Sequence, residues 1–167
     1  MKKAALLMSL CLAVLILTAC VHNPAEDRYN ELNIRARKDD LVLAYDTHVG
    51  FLGDGASCKV YQLDPQTATE RIRDIRGWNP FPMTGNLEKI IYGDADESHG
   101  IQTFFTDDNG TPFVPPIQNG FYQFYDRHTQ AQDPSDDSQV FERGSYNFTV
   151  GIYDADTGKL YILKFDT

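Results

Sequence analysis

The clearest alternation of apolar and polar positions runs through the last third of the chain. From Ser145 to Tyr153, Tyr146, Phe148, Val150 and Ile152 fall on one side and Asn147, Thr149 and Gly151 on the other, the spacing of a half-buried strand. Leu160–Phe165 follows after the turn residues Asp154 to Gly158, and Gly120–Tyr125 precedes, so the three segments predict an antiparallel meander. Leu41–Tyr45 and Lys59–Leu63 read as two further strands, joined by a stretch that holds Gly50, Gly53 and Gly55. Thr103–Phe105 and Phe113 are expected to pair as strands across the tight turn Asp108-Asn109-Gly110.

The period becomes helical between Asp64 and Arg76. Asp64 is a natural cap, Pro65 fits the first helical position, Ala68, Ile72 and Ile75 share a face, and Gly77 suits the left-handed position past the end. The other face carries Glu70, Arg71, Arg73, Asp74 and Arg76, a solvated mixture of signs. Pro80 and Pro82 then break regular structure, and Leu87–Tyr92 reads as a short helix or strand. Asp94–Gly100, Thr106–Pro116 and Thr129–Ser138 are turn-rich, acidic loops. Upstream, residues 20–38 read as a tether that grades into a thin-striped helix or an extended arm, starting near Asn23, Pro24 and Glu26 with Tyr29 and Leu32 as its apolar positions. Residues 39–167 therefore predict one α+β domain, with an antiparallel sheet of five or six strands and the 64–76 helix packed on one face.

The N-terminus has a different pattern. Lys2 and Lys3 precede an apolar run from Ala4 to Ala19, interrupted only by Ser9 and Thr18, the layout of a secretory signal over residues 1–19. As a helix the run reaches roughly 24 Å, short of the ~30 Å hydrocarbon core that a spanning helix must cross. It ends in Leu17-Thr18-Ala19-Cys20, which resembles the lipobox of bacterial lipoproteins. The resemblance implies cleavage before Cys20, a diacylglyceryl group on its thiol and further acylation of the freed amine. Two or three such chains, palmitate among them, would hold the protein stably to the cell membrane, or to an outer membrane where the organism has one; a single chain holds only marginally. Val21 follows, so the inner-membrane retention aspartate of enterobacterial members is absent.

Cleavage at that point removes two lysines and no acid, leaving 13 basic against 24 acidic residues and a net charge of -11. Such a surface repels phosphate backbones and anionic headgroups, which argues against a nucleic-acid partner and against a polybasic contribution to membrane binding. With Cys11 in the signal and Cys20 lipidated, Cys58 is the remaining cysteine, and a buried hydrophobic role is expected for it.

Candidate chemistry is sparse. The meander segment carries ten of the chain's twenty aromatic residues. Most are expected in the core, but Tyr153 is out of phase with Tyr146 to Ile152, and Tyr122 and Tyr125 point to opposite sides. Both sheet faces thus carry aromatic area, and the face away from the helix is expected either as a binding surface around Tyr122, Tyr125 and Tyr153 or as ground covered by the long loops. Asp154 and Asp156 lie in a segment superficially like a calcium loop, yet Thr157 and Lys164 stand where further ligands belong, and a hairpin turn explains them. Asp94, Asp96 and Glu97, and Asp133, Asp136 and Asp137, are acidic loop clusters of the same ambiguity. His48, His99 and His128 lack zinc spacing. Cys58 with a histidine, or His128 beside Asp126, would be the residues of a small cell-envelope hydrolase, although no serine elbow, zinc helix or phosphate loop is present. The expectation is an extracytoplasmic, lipid-anchored, non-catalytic binding or accessory module without cofactor, with an envelope protein or a glycan as partner at a sheet surface or at the loops of residues 94–138. A hydrolase and a calcium-stabilised domain are the alternatives.

Overall fold

The computed structural model describes residues 25–48, 53–94 and 103–167. The expected signal at residues 1–19, Cys20, Gly50, Asp96, Glu97 and His99 lie outside the described residues. Strands β1 (Glu26–Tyr29) and β2 (Ile34–Arg37) form an antiparallel hairpin. Then come β3 (Leu41–Asp46), β4 (Gly55–Gln62), helix α1 (Pro65–Arg73), β5 (Asn79–Pro80), helix α2 (Gly85–Tyr92), β6 (Gly120–Asp126), β7 (Asn147–Asp154) and β8 (Lys159–Asp166). Six of these strands make one antiparallel sheet in the order β3-β4-β8-β7-β6-β5, so the fold is α+β as the patterning predicts.

The alternation of β7 sorts its side chains as expected. Phe148, Val150 and Ile152 enter one core, with Cys58, Val60, Tyr122, Phe124, Tyr161 and Leu163 from the neighbouring strands. Tyr153, Tyr61, Leu160 and Ile162 enter the other. Helix α2 covers the first face with Leu87, Ile90 and Ile91, helped by Phe105, Val114, Ile117 and Val140 from the long loops. On the second face lie α1, through Ala68 and Ile72, and the hairpin, through Tyr29, Leu32, Ile34 and Ala36. The sheet is thus the middle of three layers, and each face needs its own cover because each presents large apolar side chains.

Helix α1 starts as its sequence dictates, with the Asp64 carboxylate accepting from the Gln66 amide at 3.3 Å. It ends at Arg73, three residues before the expected limit, and Gly77 then takes the left-handed φ of 99°. Leu87–Tyr92 is helical, capped by the Thr84 hydroxyl accepting from the Leu87 amide.

Three expectations need correction. Residues 26–37 are neither tether nor helix: the hairpin turns at Asn33, a left-handed residue with φ of 54°, and its inward side chains join the core. Thr103–Phe105 and Phe113 are not strands. Only an isolated bridge joins Thr106 to Pro112, because Asp107 accepts from the amides of Asn109 and Thr111 and closes the chain into a tight loop. Strand β4 begins at Gly55, four residues before Lys59, since it pairs with β8 over its full length.

Candidate functional site

The hairpin is held to the sheet by a connected set of polar contacts. The Tyr61 hydroxyl donates to Asp27 Oδ2 at 2.6 Å, and Lys59 Nζ donates to the same oxygen at 3.1 Å. With the Tyr61 proton so engaged, the Tyr29 hydroxyl donates to Tyr61 Oη at 2.6 Å. Glu31 accepts from Thr149 Oγ1 at 3.3 Å and pairs with Lys164 at 3.0 Å, while the Lys164 ammonium sits 5.7 Å from the Tyr29 ring centre. At the hairpin's tip, Trp78 Nε1 donates to the Leu32 carbonyl at 3.0 Å.

Burial by itself pushes the Asp27 carboxyl up, but the Tyr61 hydroxyl and the Lys59 ammonium favour its ionised form and hold it below the usual carboxylate range. A depressed carboxylate stabilises the fold fully above its unfolded value of about 3.9, and that contribution disappears as pH falls through the lower folded value. Acid titration of melting temperature should therefore fall less steeply below that range for Asp27→Asn, whose neutral amide does not titrate. Parallel wild-type and variant curves would refute this linkage.

Between β2 and α1 lies a cleft of about 470 Å³. Ile34, Ala36 and Leu63, all buried, line its apolar side together with Ile75. Around them stand Arg35, Arg37 and Arg71, with Glu26 and Asp40 as the acids. Arg37 pairs with Asp39 at 3.0 Å. Arg35 and Arg71 are exposed and make no side-chain hydrogen bond or ion pair. Arg35 and Arg71 thus put two unpaired guanidiniums beside an apolar wall, with the donor chemistry that suits a carboxylate or a phosphate.

The residues singled out by sequence are placed otherwise. Cys58 is fully buried in the first core, where loss of hydration pushes its thiol up to about 12, so it supplies no thiolate at neutral pH. Its expected burial holds, and that burial removes the cysteine nucleophile. His128 and Asp126 share a strand end with Ser145, but their bonding is wrong for a nucleophile and base. His128 Nδ1 accepts from the Gln130 amide at 3.2 Å, which puts the neutral ring's proton on Nε2, donated to Ser145 Oγ at 3.0 Å. A general base needs the reverse polarity. Asp126 does not orient the imidazole either: it accepts from the His128 backbone amide at 2.9 Å and pairs with Arg143 at 2.6 Å.

Among the described residues, the sheet presents no open aromatic face around Tyr122, Tyr125 and Tyr153. Tyr153 is fully buried and bonds Thr69 Oγ1 of α1 at 3.1 Å, Tyr122 is buried against Phe81, and Tyr125 is half-buried in the second core. The only large apolar side chains exposed among the described residues are Val42 and Leu43, on the edge strand β3, where Val42 falls in a register shift. Asp154 accepts from the Asp156 amide and from Thr157 Oγ1 at 2.6 Å, and Asp156 accepts from Asn119, so turn donors occupy both carboxylates. Asp133 and Asp136 likewise accept from Ser135 and Ser138. No group of three or more candidate metal ligands is assembled among the described residues.

Sequence reading passed over Arg35 and Arg71, which stand on elements separate in sequence. The strict alternation Ile34-Arg35-Ala36-Arg37 was the available signal for the first. No family model, curated protein or solved structure matches the chain.

Proposed function

We propose that the protein is a lipid-anchored, non-catalytic accessory module of the cell envelope, facing the extracytoplasmic space, whose contact site is the cleft between β2 and α1. The carrying observation is that cleft: the unpaired Arg35 and Arg71 suit it to an anionic group, whereas Cys58 and His128 are chemically spent. The sequence Leu17-Thr18-Ala19-Cys20 supports the anchor. No helix among the described residues is long and apolar enough to cross a membrane.

Two measurements test the reading. Palmitate labelling in cells should mark the wild-type chain and vanish in Cys20→Ser, with release of the protein from the membrane fraction; label persisting in the variant would overturn the anchor. For the cleft, phenylglyoxal should modify Arg35 and Arg71 of the detergent-purified protein faster than Arg143, which is largely buried and paired with Asp126. Slower modification of Arg35 and Arg71 than of Arg143 would mean that the cleft arginines are already held.

A further inference from the structure

We infer that the anionic group received by the cleft is the phospholipid headgroup of the membrane that carries the anchor, so that the domain lies with its hairpin and α1 against the lipid. This rests on the acylation of Cys20 and on the reading of the cleft as a receptor for anions.

Three observations support it independently. The first is reach. Cys20 precedes Glu26, which lines the cleft, by six residues. A fully extended chain of that length spans at most about 20 Å, so an anchor at Cys20 keeps the cleft close to the lipid surface.

The second is a charge conflict on the hairpin's outward side. Arg28 is paired directly opposite Arg35 in the antiparallel register, both are exposed, and neither has a partner. Like charges directly opposed on one strand pair repel, and a plane of phosphates relieves that repulsion. Arg37, opposite Glu26, stands on the same outward side.

The third is the separation of charge across the sheet. The hairpin of residues 26–37, which covers the second sheet face, holds three basic residues and three acids, but Asp27 and Glu31 are spent on Lys59 and Lys164 of the sheet, which leaves Arg28, Arg35 and Arg37 with Glu26 on its outward side. Residues 103–142 hold seven acids and one base, Arg127, and outside β6 they supply the loops over the opposite face. The net charge of the chain hides this polarity. An anionic membrane attracts basic groups only within about a Debye length, ~10 Å at 0.1 M salt, so the hairpin side is drawn in while the acidic loops, across the sheet, point away. A headgroup also has an advantage over a free anion. The acyl chains hold it at a high effective concentration beside the arginines.

The test uses the mature lipidated protein reconstituted into vesicles of phosphatidylcholine, with or without phosphatidylglycerol. Flotation shows anchoring, and phenylglyoxal modification of Arg35 and Arg71, read by mass spectrometry, shows occupancy of the cleft. The expected result is flotation with both vesicles and modification several-fold slower on the anionic ones, with the difference abolished by high salt. Flotation with both but equal modification rates would overturn the headgroup assignment and leave the anchor standing. Failure to float with either would overturn the anchor and this inference with it. Millimolar inorganic phosphate on neutral vesicles should leave the rates unchanged; equal protection from phosphate alone would assign the cleft to a free anion instead. As a second reading, tryptic cleavage after Arg28 should be slower on anionic than on neutral vesicles, and Arg35→Gln with Arg71→Gln should shrink that difference. An undiminished difference in the double variant would mean that the cleft arginines are not what meets the lipid.

Discussion

Phe148→Ala is expected to destabilise the folded chain by about 3–5 kcal/mol, the range for truncating a fully buried phenylalanine. Phe148 has no exposed surface and stands on β7, inside the sheet between β6 and β8. Its ring centre lies 5.7–6.4 Å from those of Phe104, Phe105, Phe124, Tyr146 and Phe165. Phe124 and Phe165 come from the adjacent strands, and Phe104 and Phe105 from the loop that covers this face, so one side chain joins the sheet to its cover. Offset and edge-on aromatic pairs add about 0.5–1.5 kcal/mol beyond the area they bury. A cavity at the junction of five rings closes poorly, because the strands cannot move together without breaking their pairing. Urea denaturation gives the measurement. The midpoint should fall markedly with little change in slope, and Phe148→Leu, which refills part of the volume, should recover some of the loss. A loss under about 1 kcal/mol for the alanine variant would show that the loop over this face is not packed as described.

Position in the chain decided what could be read from it. Strand β7 and helix α1 announce themselves because the information is local: strict alternation in one, and a cap, a proline and an apolar face in the other. The separation of Phe148 from Tyr153 onto opposite faces follows from the same alternation. The hairpin was harder to see because its strands have only four residues each, and their outward positions are charged. Isolated in sequence, Tyr29, Leu32, Ile34 and Ala36 look like a thin stripe; they become core when the chain folds back at Asn33 and meets Trp78 and Ile162. Loop residues such as Phe105, Val114 and Val140 pose the same difficulty, since scattered apolar residues in polar segments acquire meaning only through distant contacts. That long-range closure also removes the aromatic binding face, because both sides of the sheet are covered. The cleft arginines were invisible for a related reason: Arg35 and Arg71 belong to elements on either side of β3 and β4, and the acidic total masked them.

Trp78→Ala should cost about 3–5 kcal/mol as well, but with a different consequence, because Trp78 fastens the hairpin. The indole is buried, its Nε1 donates to the Leu32 carbonyl at the hairpin's tip, and its ring rests on Gly151 of β7. The fit over Gly151 is close: a Cβ there would lie 2.7 Å from Trp78 Cη2 and 3.0 Å from Leu32 Cδ1, so the glycine is what lets indole and hairpin settle on the sheet. Removing the indole opens a cavity beneath Leu32 and leaves its buried carbonyl without a donor, a loss of about 1–3 kcal/mol by itself. The remaining fastenings, Asp27 to Lys59 and Tyr61, and Glu31 to Lys164, are polar and half-open to water, so they hold less firmly. Trypsin should therefore cut after Arg28 or Arg35 in Trp78→Ala before the rest of the chain unfolds, under conditions where the wild type resists. Trp78→Phe, which keeps much of the packing and loses the N–H, should fall between the two. Because β2 forms one wall of the cleft, the alanine variant should also lose the phosphatidylglycerol-dependent protection of Arg71 while its acyl chains still carry it to vesicles of either composition. Retained protection of Arg71 with a demonstrably released hairpin would mean that helix α1 meets the lipid alone.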